Sequence, residues 1–275
     1  MSSQASDASA ARPVSVADLQ AAKARGERFA MLTAYDYPTA RTLDEAGVPV
    51  LLVGDSLSDN VLGHDSTVPV TVDDMLHHTK AVVRGTRRAL VVADLPFGSY
   101  QVSVEDGLRA SIRLMKEGGA NAVKAEGGGT VVELAHRLVR SGVPFMGHLG
   151  LTPQSVNLLG YRVQGRDADA ADAILEDARA LEKAGAFAVV LECVPAELAG
   201  RVTDALALPT IGIGAGPRTD AQVLVFHDLV GLSEGRKPRF VKQYADTRAV
   251  IADAVKAFSA EVAAGDYPGP EHAYE

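Results

Sequence analysis

Three short apolar runs each end on an acid: Leu51-Leu52-Val53-Gly54-Asp55-Ser56, Ala89-Leu90-Val91-Val92-Ala93-Asp94 and Ala122-Val123-Lys124-Ala125-Glu126. Carboxylates delivered to one small site repel each other unless a positive charge lies among them. Asp55, Asp94 and Glu126 are therefore read as ligands of a hard divalent cation. Mg²⁺ suits them, because it takes few protein carboxylates and leaves positions for water and substrate. Lys124 stands two residues before Glu126, so with a period of two both point the same way. It is either an ion-pair partner for the acids or a binder of a substrate carboxylate or oxyanion. His148 ends a fifth apolar stretch, where a substrate donor and a satisfied structural histidine are equally open. His64, His77, His78, His136 and His227 are weaker candidates.

Glu192 follows Phe187-Ala188-Val189-Val190-Leu191. A partly desolvated carboxylate there would have a raised pKa and could act as a general base; an ion-pair partner for Lys124 or an Arg is the plainer reading. Cys193, beside it, has no histidine at catalytic spacing and is read as a packed thiol. Gly212-Ile213-Gly214-Ala215-Gly216 could approach a phosphate or lie against a flat ligand.

Alternating strands and helices would position these residues. Val- and Leu-rich runs separated by helix-like stretches read as buried parallel strands. The expected strands are Phe29–Tyr35, Val50–Val53, Ala89–Ala93, Ala122–Ala125, Val143–Gly147, Phe187–Leu191, Pro209–Ile213 and Val223–Phe226. Thr71 is an expected N-cap, Gly47 an expected C-terminal cap, and Tyr244–Ala264 a C-terminal helix. The alternation predicts an α/β fold, a (β/α)8 TIM barrel forming a single domain over residues 14–275. Such a barrel delivers all strand ends to one rim, where its chemistry sits. Ser56–Pro69 and Leu149–Asp167 follow strands and are expected to be rim loops.

Composition sets further bounds. The chain has 275 residues, 27 basic against 35 acidic, for a net charge of −8, which disfavours a nucleic-acid partner. Its single cysteine rules out an internal disulfide and a cysteine-based zinc cluster, as fits a reduced, cytoplasmic setting. Residues 1–13 are polar and Ser/Ala-rich, an expected disordered leader without the apolar core of a signal peptide. No apolar run is long enough for a membrane span.

Several blocks in order carry a resemblance. They include Met31–Asp36, Val53–Ser56, Asp65–Thr71, His77-His78-Thr79, Ala93–Tyr100, Val123–Gly128, Gly147–Gln154, Leu191–Pro195 and Gly212–Gly216. The chain closely resembles the ketopantoate hydroxymethyltransferase family from Val14 to Tyr274. That resemblance implies a (β/α)8 barrel holding Mg²⁺ through Asp55, Asp94 and Glu126, and substrate contacts from Asp55, Ser56, Asp94 and Lys124. It implies Glu192 as the general base and His148 near the substrate. It also implies 5,10-methylenetetrahydrofolate as co-substrate and a homodecamer of two pentameric rings. The implied reaction makes an enolate of 3-methyl-2-oxobutanoate, stabilised by Mg²⁺, which takes the hydroxymethyl unit to give 2-dehydropantoate in pantothenate biosynthesis. Ser58-Asp59-Asn60 departs from the Gly-Met form of many members, within an expected loop. A rival enzyme class is the Mg²⁺-dependent 2-oxo acid lyase or mutase of the phosphoenolpyruvate mutase and isocitrate lyase type, which needs no folate. A non-catalytic barrel would be expected to lack a rim acid, and all four are present.

Overall fold

A computed structural model of the chain describes residues 12–235 and 237–274. The elements in chain order are α1 (Val16–Ala24), β1 (Phe29–Thr33), α2 (Tyr37–Glu45), β2 (Val50–Val53), α3 (Leu57–Asn60), α4 (Val72–Gly85), β3 (Leu90–Asp94), α5 (Val104–Lys116), β4 (Ala122–Glu126) and α6 (Thr130–Arg140). They continue with β5 (Phe145–Gly150), α7 (Val156–Leu159), α8 (Ala168–Ala184), β6 (Ala188–Glu192), α9 (Ala196–Ala205), β7 (Thr210–Ile213), β8 (Ala221–Leu224), α10 (Phe226–Val230) and α11 (Thr247–Ala264). The strands pair in parallel and in sequence order, and β8 closes onto β1. The fold is the expected (β/α)8 TIM barrel.

The chain forms two compact units, one ending at Val225 and the other beginning at Phe226. The barrel lies in the first. In the second, Asp246 caps α11 by accepting from the Ala249 amide, and left-handed Gly265 ends it. Ile251, Val255, Phe258 and Val262 are spaced three or four residues apart and share one face of α11. Among the described residues no helix is long and apolar enough to cross a membrane. The expected leader lies, over residues 1–11, outside the described residues.

Some boundaries differ from expectation. β5 begins at Phe145, not Val143, because Pro144 has no N–H for the ladder, and it runs on to Gly150. β8 begins two residues earlier than the apolar run suggests, since Ala221 pairs with both Ile211 and Phe29. Both rim segments hold a short helix, α3 and α7. The departing segment Ser58-Asp59-Asn60 lies in α3, where the buried Ser58 hydroxyl donates to Ser66 O at 2.6 Å.

Local signals fix the helix ends. Thr71 caps α4 in a capping box with Asp74, Ser103 caps α5, and Asp167 caps α8. Gly185 ends α8 in the left-handed conformation.

The barrel interior explains how the strands deliver chemistry. Leu90, Val92, Ala122, Met146, Ala188 and Val190 belong to one buried cluster. Continuing each strand at period two brings Asp94 after Val92, Lys124 and Glu126 after Ala122, His148 after Met146, and Glu192 after Val190. The inward face thus changes from apolar to ionic toward the C-terminal ends. Residues of the other parity pack outward: a methyl group on Gly147 would lie 2.7 Å from Leu181 of α8.

Buried Asp44 of α2 ties this helix to the start of β3. Its carboxylate accepts from the amides of Arg87, Arg88 and Ala89 at 3.0, 3.0 and 2.7 Å. Replacing Asp44 by Ala strands these donors, so urea unfolding is expected to show a loss of about 2–4 kcal/mol. A midpoint unchanged from the parent would show that water satisfies the three amides.

Candidate active site

Strand register brings the rim residues side by side. Asp94 pairs with Lys124, Glu126 with His148, and Gly150 with Glu192. Gly150 has φ +94° and turns where a Cβ would sit 2.2 Å from the Glu192 carbonyl, so only glycine fits.

Asp55 lies beyond the end of β2, and its amide donates to Asp94 Oδ2 at 3.0 Å. Lys124 Nζ sits 3.1 Å from Asp94 Oδ1 and 3.1 Å from His148 Nδ1. His148 joins two acids, with Nδ1 3.3 Å from Glu126 Oε1 and Nε2 3.2 Å from Glu192 Oε2. Asp55, Asp94, Lys124, Glu126 and His148 are all buried. Glu192 keeps 17% of its side chain exposed, which leaves it a path to the rim. The Ser56 hydroxyl is 2.8 Å from the buried Tyr35 hydroxyl.

The electrostatics sort these groups. Burial pushes Asp55 well above the usual carboxylate range, and the charges of Glu126 and Asp94 push it further. Burial also raises Asp94, against the pull of Lys124 and the Asp55 amide. Burial would raise Glu126 as well, but His148, Lys124 and the Gln154 amide outweigh it and hold Glu126 low. Burial works against the Lys124 charge, yet Asp94, Glu126 and Asp55 hold its pKa above the ordinary value. Burial and Lys124 oppose a charge on His148, but Glu126 and Glu192 raise it to about 9. The two carboxylates thus favour the protonated ring, against the Lys124 ammonium 3.1 Å from Nδ1.

This pairing has a consequence for stability. The folded His148 pKa of about 9 exceeds an ordinary value of about 6.5. A raised imidazole stabilises the fold fully below the unfolded value, and loses that contribution as pH rises through the folded one. Metal-free protein is therefore expected to lose on the order of 3 kcal/mol from this group between pH ~6.5 and ~9. Asp55 and Asp94, also raised, act in the same direction as pH rises. Urea titrations across this range should show the decline, and His148→Gln should flatten it; an equally steep variant would remove His148 as the cause.

The donor set fits a divalent cation. Four carboxylates face one ammonium and one imidazolium, so full ionisation leaves a surplus of two negative charges. Asp94 Oδ1 is buried without an aligned hydrogen bond. Among the described residues no three His, Cys, Asp or Glu side chains form a ready-made metal cage. Mg²⁺ does not require one, since it is usually held by one or two carboxylates with water and substrate. Asp55, Asp94 and Glu126 offer such carboxylates, Glu126 with Oε1 toward His148 and Oε2 accepting from the Gln154 amide.

Other candidates fall elsewhere. His77 and His78 lie on α4 and His136 on α6. Gly212 packs against Thr219 and Gly216 against Ala196, so these two glycines allow close packing within the protein. The Cys193 thiol is pushed up to about 11 by burial and Glu192, and is not a ready nucleophile. Its φ of +47° makes it the one left-handed non-glycine residue among those described.

Two residues absent from the sequence-derived site lie at its centre. Gln154 donates to Asp55 Oδ2, and Tyr100 donates to Gln154. Both end blocks of the family resemblance, Gly147–Gln154 and Ala93–Tyr100, which was the available signal.

Comparison with known proteins shows the family. The family model described as ketopantoate hydroxymethyltransferase matches residues 13–270. The 3-methyl-2-oxobutanoate hydroxymethyltransferase of Thermobifida fusca (strain YX) is 61% identical over 97% of this chain and 95% of its own length. That of Streptomyces coelicolor (strain ATCC BAA-471 / A3(2) / M145) is 58% identical over 95% of this chain and 90% of its own. Among solved structures, phosphonopyruvate hydrolase matches with a TM-score of 0.61 at 13% identity, over 95% of this chain and 92% of that one. 2,3-Dimethylmalate lyase, a PEP mutase/isocitrate lyase superfamily member, matches at 0.59 and 16%, over 96% and 90%. At such identities these two establish the fold alone.

Proposed function

The chain belongs to the ketopantoate hydroxymethyltransferase family, and from that premise we propose that it transfers the one-carbon unit of 5,10-methylenetetrahydrofolate to 3-methyl-2-oxobutanoate. With one water consumed, the products are 2-dehydropantoate and tetrahydrofolate, a step of pantothenate biosynthesis. A C–C bond forms at C3, the C–N bonds to the one-carbon unit break, and water supplies the new hydroxyl. The observation that carries this reading is a buried rim cluster of Asp55, Asp94, Lys124, Glu126 and His148 with a partly exposed carboxylate, Glu192, at its edge.

Asp55, Asp94 and Glu126 would hold Mg²⁺, whose Lewis acidity lets negative charge develop on the substrate's keto oxygen. Glu192 takes the C3 proton onto its carboxylate. His148 Nε2, 3.2 Å from Glu192, would offer that carboxylate a neighbouring positive charge, with Glu126 3.3 Å from the other ring nitrogen. Lys124 offsets the surplus acid charge and, with Ser56, Asp55 and Asp94, contacts the 2-oxo acid. The apolar barrel interior beneath the rim, with Val92, Met146 and Val190, would keep water from that side of the substrate.

Ketopantoate formation should require both folate and a divalent cation. An assay with and without methylenetetrahydrofolate, and with and without chelator, tests both requirements. Turnover of the 2-oxo acid without folate would favour the lyase reading. The apolar face of α11 supports self-association, for which we propose the homodecamer implied by the family resemblance, in the cytoplasm.

A further inference from the structure

Gln154 touches two of the acids assigned to the metal site. It lies in a tight turn after β5, where Pro153 starts a 3₁₀ turn and the Ser155 amide donates to Thr152 O at 2.8 Å. Its backbone amide donates to Glu126 Oε2 at 3.0 Å. Its side chain, in a residue only 4% exposed, donates through Nε2 to Asp55 Oδ2 at 2.8 Å and to Leu95 O at 2.9 Å. Carboxamide Oε1 accepts from the Tyr100 hydroxyl at 2.7 Å and from Gln101 Nε2 at 3.1 Å. Both N–H donors and both lone pairs of the carboxamide are thus used.

The network also decides which end of the carboxamide faces Asp55. Gln101 Oε1 accepts from the Gly98 amide at 2.7 Å, which turns Gln101 Nε2 toward Gln154. Tyr100 accepts from the Glu126 amide at 3.2 Å, and of the two acceptors in reach of its own proton Gln154 Oε1 at 2.7 Å is nearer than the Glu126 carbonyl at 3.2 Å. Two donors therefore converge on Oε1, and the Nε2 end is left for Asp55. The orientation follows from backbone amides, whose donors cannot be reversed.

We propose that Gln154 is a positioning residue for the divalent-metal site, setting the spacing of Asp55 and Glu126 by donating one uncharged hydrogen bond to each. Its neutrality matters. Lysine or arginine at this position would add a third cation and compete with the metal; an acid would add a fifth carboxylate. Asparagine is one methylene too short to span from the turn to Asp55. Tyr100 acts through Gln154, by locking the carboxamide the right way round. This inference rests on the reading that Asp55, Asp94 and Glu126 hold a divalent cation.

Direct titration of the full-length protein with Mn²⁺, followed by electron paramagnetic resonance, tests it without recourse to turnover. Gln154→Met keeps the bulk and the backbone amide but removes the side-chain donors. It is expected to weaken Mn²⁺ binding about 10- to 100-fold. Tyr100→Phe should weaken it less and in the same direction, and gives a milder variant should Gln154→Met fold poorly. The double variant should bind no worse than Gln154→Met, because both changes break one chain of bonds. Parent-like Mn²⁺ affinity in both single variants, with only thermal stability reduced, would overturn the positioning role and leave the metal site standing. Strictly additive losses would overturn the link through Tyr100. Failure of the parent protein to bind Mn²⁺ at all would overturn the metal reading, and this inference with it.

Discussion

Glutamine in place of Glu192 is expected to halt exchange of the C3 proton of 3-methyl-2-oxobutanoate with solvent, and overall turnover with it. A positioned general base contributes about 10²- to 10⁴-fold, so residual exchange should fall by a factor in that range. Glutamine retains the volume of the side chain and the strand register, in which Glu192 pairs with Gly150 and Ile213. The Glu192 carbonyl still accepts from the Leu151 amide at 2.8 Å, so the fold should be preserved. What is lost is a carboxylate able to accept a proton beside His148. Proton exchange followed by NMR in deuterated buffer separates this step from transfer to folate. Exchange at the parent rate in a folded Glu192→Gln variant would assign the base elsewhere.

Asparagine in place of Asp94 is the second large effect. Asp94 Oδ2 accepts from the Asp55 amide and Oδ1 faces the Lys124 ammonium. Asparagine can still accept the first bond, but it removes the negative charge that a dication and Lys124 share. Apparent Mg²⁺ affinity should drop about 100-fold or more, and turnover at limiting Mg²⁺ about 10³-fold, corresponding to roughly 4 kcal/mol of lost charge stabilisation. A cation bound only by the folded state raises thermal stability in proportion to the logarithm of its concentration over its dissociation constant. The Mg²⁺-dependent rise in Tm should therefore shrink or vanish in the variant. A parent-like Mg²⁺ titration by both measures would remove Asp94 from the ligand set.

The contrast between these two residues and Gln154 marks how far the sequence reaches. Asp94, Glu126, His148 and Glu192 were legible because each extends the inward period of a buried strand by one or two steps. Lys124 was legible for the same reason, two residues before Glu126. The barrel itself was legible because strand and helix periodicities are carried by near neighbours in the chain. Helix ends followed from capping residues such as Thr71 and Asp167. Boundaries set by pairing partners were not: β8 takes its frame from Ala221 against Ile211 and Phe29, and a local apolar run pointed two residues further on.

Composition and periodicity alone determine an eight-stranded barrel with acids at the ends of its strands. Only closure of the barrel decides which charges meet, because the partners lie far apart along the chain. Gln154 bonds Asp55 across 99 residues and Glu126 across 28. Asp55 itself sits past the end of β2, where strand parity no longer applies, and its place is set by the hydrogen bond from its amide to Asp94. Whether a carboxyl group is raised or lowered follows from the same closure. Burial and neighbouring charge are properties of the assembled rim, and no stretch of sequence holds them by itself.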